Sequence, residues 1–263
     1  RYIRALRYAP SANALWIGTR DAGVFRLDVA TGRTTRFSHD PAQPSSLVDD
    51  RIYALTLDQQ GRLWVGTDGG LDRLDPAAGG FVHFRSDPAD ARSLSDAKVR
   101  AILEDDSGTL WVGTAAGLNR LDPGRTGFER YRHQPESPTS LANDTVRAIL
   151  QDADGRLWVG TYQGLDLFDP AQGTFAHYQQ DPKDAASLAD EHVLSLAERA
   201  ATEHADATYL RGRVQQYRAE TREDETDLRF EASDLLTDVD VTGQLETESW
   251  TLRGDLAGTY DLD

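Results

Sequence analysis

Leu110-Trp111-Val112-Gly113-Thr114 decides how this sequence is read, because it occurs four times. Leu15-Trp16-Ile17-Gly18-Thr19 returns as Leu63-Trp64-Val65-Gly66-Thr67, as the 110–114 copy, and as Leu157-Trp158-Val159-Gly160-Thr161. The offsets are 48, 47 and 47 residues. A constant period of this length, filled with strand-type residues, signals an array of stacked β-units.

Working outward from 110–114, one period resolves into four short strands. Val99-Arg100-Ala101-Ile102-Leu103-Glu104 is apolar-rich and short enough for a buried strand. Asp105-Asp106-Ser107-Gly108 is a turn, with Asp and Gly supplying local hydrogen bonds and positive φ. The 110–114 strand follows, then the Ala115-Ala116-Gly117 turn. Leu118-Asn119-Arg120-Leu121-Asp122 alternates as a third strand, and Phe128-Glu129-Arg130-Tyr131-Arg132 is a fourth. The spacing predicts four-stranded antiparallel blades. Polar loops join the periods and end in Ser46-Leu47-Val48-Asp49, Ser93-Leu94-Ser95-Asp96, Ser140-Leu141-Ala142-Asn143 and Ser187-Leu188-Ala189-Asp190. Such crossovers keep their backbone solvated.

The pattern Val-Arg-Ala-Ile-Leu-x-Asp-x-x-Gly-x-Leu-Trp-Val-Gly-Thr-x-x-Gly-Leu-x-x-Leu-Asp-Pro, then Phe-x-x-Tyr and Ser-Leu-x-Asp, resembles the two-component regulator propeller repeat. The resemblance covers about residues 1–196, with full copies at 51–97, 98–144 and 145–191. The first copy is looser, since Ser11-Ala12-Asn13-Ala14 replaces the Asp-x-x-Gly turn. It implies periplasmic sensor propellers that precede a membrane helix and a histidine kinase or diguanylate cyclase, and that often recognise carbohydrate. Propellers of that family hold more than four blades. Four blades close only as a small ring; otherwise further blades, the tail or a homodimer must close the arc, because open blade faces favour association.

The expected class is therefore all-β: four propeller blades over residues 1–196, a linker or short helix at 197–207, and an acidic β-rich segment at 208–263. His192-Val193-Leu194-Ser195-Leu196 opens a fifth copy, but no further Leu-Trp-Val-Gly-Thr follows. In the tail, Tyr209–Val214, Asp227–Ala232, Gln244–Leu252 and Leu256–Tyr260 alternate as strands. The alternation faintly resembles envelope lipid-transport β-folds, without a motif to anchor it. A joined or truncated reading frame after Leu196 accounts for it equally.

The 263 residues carry 28 Lys plus Arg against 44 Asp plus Glu, a net charge of −16. So acidic a chain is poorly suited to nucleic acid or anionic membrane surfaces. Most of that charge, −10, lies from Ala197 onward, with 17 acidic and 7 basic residues. Without Cys, disulfides and thiolate metal sites are excluded. Met is absent even at position 1, so the sequence reads as a processed or partial chain. No apolar run approaches the roughly 18 residues of a membrane helix, and no signal peptide is visible.

Residue types that carry chemistry mostly read as structure. One Trp per repeat, centred in a buried-type strand, fills the wedge between blades rather than stacking a sugar. The Asp-x-x-Gly turns lack the distal Glu of a calcium loop. His83 and His177 share one repeat position and His39 and His133 another, so neither pair converges on a metal. No paired acid and base breaks the repeat symmetry, which argues against a propeller lyase or glycosidase. No catalytic residue, metal or cofactor is expected.

The informative position is the second residue of each innermost strand: Arg4, Tyr53, Arg100, Arg147 and then Leu194. Early residues of that strand lie near the channel mouth. Three guanidinium groups and a phenol there would form a positive, hydrogen-bonding ring on an acidic protein, suited to carboxylate or sulfate. The competing reading pairs each Arg with a loop carboxylate, as Arg100 with Asp96. The same rim takes in Asp49, Asp96, Asn143, Asp190, Arg20, Asp21, Asp68, Tyr162 and Gln163. The expected ligand site is Arg4, Tyr53, Arg100, Arg147, Asp49, Asp96, Asn143 and Tyr162, and the expected partner a small anionic molecule or oligosaccharide. The expected function is that of a ligand-sensing module of an envelope receptor. The alternatives are an interaction scaffold or, third, a propeller enzyme.

Overall fold

The computed structural model describes residues 2–77, 79–184, 186–197, 239–245 and 248–254. The chain divides into two compact units, residues 1–212 and 213–263.

The first unit holds four four-stranded antiparallel sheets. Their strands run in sequence order. The first sheet is β1 (Ile3–Ala9), β2 (Ala14–Thr19), β3 (Val24–Asp28) and β4 (Thr34–Phe37). The second is β5 (Ile52–Leu57), β6 (Leu63–Thr67), β7 (Leu71–Asp75) and β8 (Gly80–Phe84). The third is β9 (Val99–Glu104), β10 (Leu110–Thr114), β11 (Gly117–Leu121) and β12 (Glu129–Tyr131). The fourth is β13 (Val146–Gln151), β14 (Leu157–Thr161), β15 (Gly164–Asp169) and β16 (Thr174–Tyr178). Each sheet is one blade of the expected kind. Among the described residues the helical content is a short 3-10 turn, Pro10–Ala12, and no helix is long and apolar enough to cross a membrane.

The first-to-second-strand turn shows why the repeat keeps its Asp and Gly. Gly61, Gly108 and Gly155 take φ of 75°, 81° and 78°, a region costly to residues with a β-carbon. The first blade has Asn13 there, at φ 42°, and Asn is among the side chains that best tolerate it. The Asp opening each turn accepts from the blade's Trp indole: Trp64 to Asp58 at 2.9 Å, Trp111 to Asp105 at 2.8 Å and Trp158 to Asp152 at 2.7 Å. A turn residue thus satisfies the one polar atom of a large aromatic that packing removes from water.

Blades join through the second strand of one and the first strand of the next. The Gly of Leu-Trp-Val-Gly-Thr is the contact point. A β-carbon on Gly113 would lie 2.5 Å from a Val146 methyl, and one on Gly66 or Gly160 would lie 2.8 or 2.6 Å from Val99 or Val193. Ile52, Val99, Val146 and Val193 are fully buried, whereas Ile3, at the same repeat position, is 60 % exposed. Val193 also donates its backbone N–H to the Thr161 carbonyl at 2.9 Å. The start of the fifth copy therefore seals the fourth blade as each earlier repeat seals its predecessor. Aromatic trios line the wedges further out, such as Trp16–Phe37–Phe81 and Trp64–Phe84–Phe128.

The crossover loops hang from buried polar residues of the third strands. Asp72 accepts from the Val48 N–H, Asn119 from Ser95 and Asp166 from Ala142, each at 2.8 Å. His83 and His177 hold the other oxygens of Asp72 and Asp166 at 2.6 and 2.7 Å. Burial raises both aspartates above the usual carboxylate range, against the opposing histidine and backbone hydrogen bonds.

In the second unit the described backbone is one hairpin, β17 (Val239–Leu245) and β18 (Glu248–Gly254), with Leu245 opposite Glu248. The stretch Gln244–Leu252, expected as one strand, is thus divided between two. A two-residue connection preserves period-two alternation, so the sequence pattern ran through it without a break. The other expected tail strands, and the linker at 198–207, lie outside the described residues.

Candidate functional site

Arg4, Tyr53, Arg100 and Arg147 share more than a repeat position. In β5, Ile52 pairs with Thr67 and Ala54 with Gly66, which leaves Tyr53 as an extra residue in the ladder. The same skip occurs at Arg4 between Ile3 and Ala5, at Arg100 between Val99 and Ala101, and at Arg147 between Val146 and Ala148. Every innermost strand carries a β-bulge at this residue. A bulge frees one side chain from the pleat and re-aims it, a device common beside functional sites.

The strands carrying these bulges are consecutive neighbours, β1 against β5, β5 against β9 and β9 against β13. The side chains meet. The Arg4 guanidinium carbon lies 4.7 Å from the Tyr53 ring centre, and that of Arg100 lies 5.6 Å from the same ring. Arg147 lies 5.8 Å from the Tyr162 ring, whose other neighbour is His192 at 5.0 Å between ring centroids. Each contact is within cation–π range. Burial pushes the Arg147 guanidinium below its ordinary value; Tyr162 and Tyr53 oppose this, and the Arg100 and Arg4 charges add to it. Three like charges therefore share one neighbourhood.

The expected loop partners are used elsewhere. Asp49, Asp96 and Asn143 each accept from the backbone N–H two residues on, at Arg51, Lys98 and Thr145, over 2.7–2.8 Å. Asp190 does the same for His192. These are Asx turns that end the crossover loops and launch the inner strands. They position the site and leave the arginines alone. Among the described residues, Arg4, Arg100 and Arg147 form no ion pair, and the buried Arg100 Nε has no hydrogen-bond partner.

The acidic member of the site is Asp68, in the second-to-third-strand turn. It accepts from the Tyr53 hydroxyl at 3.0 Å and lies 3.1 Å from Lys98 Nζ and 3.9 Å from Arg51. Burial works to raise its carboxyl, but hydrogen bonds from Lys98 and Tyr53 and both positive charges outweigh this and hold it below the ordinary range. Tyr162 occupies the equivalent turn position in the fourth blade, and Arg20, stacked on Tyr2 at 5.6 Å, does so in the first. The variable turn position thus meets the arginine cluster in the second and fourth blades, through Asp68 and Tyr162. The histidines stay with their own loops, as His39 on the Leu47 carbonyl and His133 on that of Leu141.

The family model described as two component regulator propeller matches residues 46–69, 93–116 and 140–163, the crossover end, inner strand and Trp strand of three successive repeats. Three of its repeats match the two-component regulator propeller repeat. No curated protein matches the chain. Among solved structures it is similar to the extracellular domain of the protein described as hybrid two component system BT4673 from B. thetaiotaomicron. The TM-score is 0.63 at 20 % identity, over 74 % of this chain and 24 % of that one. The extracellular domain of BT3049, described in the same terms and from the same organism, gives 0.59 at 21 %, over 74 % and 31 %. Virginiamycin B lyase from Staphylococcus aureus gives 0.50 at 14 %, over 71 % and 58 %. The chain spans about a quarter to a third of the two receptor domains. These likenesses establish the propeller fold.

Proposed function

We propose that this chain is a ligand-sensing module of an extracytoplasmic, periplasm-facing signalling receptor of the two-component or diguanylate cyclase type. The ligand is a small anionic molecule of carbohydrate type, held at the channel mouth. One observation carries this: two bulge-presented guanidinium groups, Arg4 and Arg100, flank Tyr53, a third, Arg147, lies close enough to feel both their charges, and none has a carboxylate ion-pair partner among the described residues. Guanidinium forks bind carboxylate or sulfate in bidentate fashion. An anion there would relieve the mutual repulsion of the three charges. Binding would draw the inner strands of neighbouring blades together and pass a shift in blade packing to an output domain. The repeat family and its receptor-derived structural neighbours support the sensor reading. The role in this reading is binding without turnover.

The test is calorimetric titration with uronic-acid and sulfated oligosaccharides, beside thermal melts. Arg100→Ala and Arg147→Ala should each weaken binding roughly ten- to a hundredfold with little change in melting temperature. Unchanged affinity in both variants would overturn the reading, as would release of a product from the oligosaccharides.

A second reading, an interaction scaffold, is favoured by the first blade's open face, where Ile3, Leu6 and Tyr8 are exposed. Light scattering of Ile3→Asp tests it: loss of an oligomer seen with the native chain would support association through this face.

A further inference from the structure

The wedge between the first and second blades is open where the wedge between the third and fourth is filled. On the first two blades it is a cavity of about 590 Å³, within the range of small-ligand pockets. Its apolar wall is Trp16, Phe37, Phe81 and Leu74, and Arg26 and Arg36 stand over it. The fourth blade carries Phe168 at the repeat position of Leu74. Phe168 packs 5.1 Å from Trp111, 5.2 Å from Tyr131 and 5.1 Å from Phe175. A phenyl ring from the protein itself thus occupies the third wedge, and in the first wedge Leu74 leaves that volume unfilled.

The cavity's charge is as specific as its shape. Arg36 donates one N–H, from Nε, to the Ala22 carbonyl at 2.9 Å. Neither Arg36 nor Arg26 is in an ion pair among the described residues. Among the described residues the one carboxylate on the rim, Asp40, already accepts from the Ala42 N–H and Gln43 Nε2, both at 2.9 Å.

We propose that this cavity is a second binding site, distinct from the arginine cluster at the channel mouth, and that it takes a small ring-bearing carboxylate. The ring sits where Phe168 sits in the third wedge, against Trp16 and Phe81. The carboxylate meets Arg26 and Arg36. The two sites share no residue, so one can be removed without the other.

Fluorine NMR of the full chain with 4-fluorophenylacetate tests this. The native chain should broaden the probe signal, and 4-fluorobenzyl alcohol should bind at least tenfold more weakly for lack of the charge. Leu74→Phe, which installs the fourth blade's own plug, should abolish binding. Leu121→Phe, at the same repeat position in the next wedge, should leave it unchanged. Arg26→Gln, on a partly exposed side chain, should weaken it about tenfold or more and decides the matter should Leu74→Phe fail to fold. No binding at millimolar probe, equal affinity for the alcohol, binding that survives Leu74→Phe in a folded protein, or binding indifferent to Arg26→Gln would each overturn the proposal.

Discussion

Tyr53 lies between two guanidinium groups, 4.7 Å from that of Arg4 and 5.6 Å from that of Arg100, while its hydroxyl donates to Asp68. One phenol therefore gathers charges from the first and third blades. Each cation–π contact contributes about 0.5–1 kcal/mol at a partly exposed site. Tyr53→Leu should weaken binding of a uronate oligosaccharide severalfold by scattering the arginines. Tyr53→Phe keeps the ring and should bind within about twofold of the native chain. Isothermal titration of both variants checks this, and raising salt should weaken native binding only modestly, because the site is partly screened from solvent ions.

Trp111 anchors the third wedge. It is buried, packs on Phe168 and Tyr131, and donates to Asp105. Trp111→Ala should cost about 3–5 kcal/mol, a large share of ordinary domain stability, and unfold the unit rather than remove ligand affinity alone. Denaturant melts followed by circular dichroism measure it.

Gly113→Ala places a methyl group against Val146 at a distance real side chains do not adopt. Overpacking of this kind costs about 1–3 kcal/mol. In the double variant with Val146→Ala the space returns, so the two losses should sum to more than the loss in the double variant. Thermal melts of the three proteins close that cycle.

Stability should fall on the acid side through Asp152. Burial opposes its charged form, but the Trp158 indole, the Arg156 N–H and the Arg156 guanidinium outweigh burial and hold its carboxyl below the ordinary 3.8. A depressed carboxylate stabilises the fold above its unfolded value and loses that contribution as pH falls through the folded one. The melting-temperature gap between the native chain and Asp152→Asn should thus be steady from pH 7 to 5 and shrink below about pH 3.8. Asp72 and Asp166, raised by burial, act in the opposite sense. Their contribution is complete below the unfolded value and is lost as pH rises through the folded one, which is why the measurement compares a variant pair.

The blades were legible because their defining residues recur at a fixed interval, and the same interval put Arg4, Tyr53, Arg100 and Arg147 in one register. The bulge that frees those side chains was not legible, since it depends on which cross-strand residues pair, and composition carries no record of that. Asp49, Asp96 and Asn143 stood close enough in sequence to suggest ligand contacts. In the structure one oxygen of each meets the backbone N–H two residues on. The open wedge between the first two blades was hidden for another reason. It follows from one Leu-to-Phe difference between repeats that both read simply as apolar.

Each blade is sealed by a residue that arrives late in the chain. Gly113 waits for Val146 and Gly160 for Val193, in each case 33 residues further on. At a synthesis rate of about 5–20 residues per second, the glycine of a newly emerged second strand waits roughly 2 to 7 seconds for its partner. During that interval the strand, with the invariant Trp, faces water or whatever else is near. The glycine seam thus sets a timetable for birth of the protein, in which every repeat completes the one before it and no repeat completes itself.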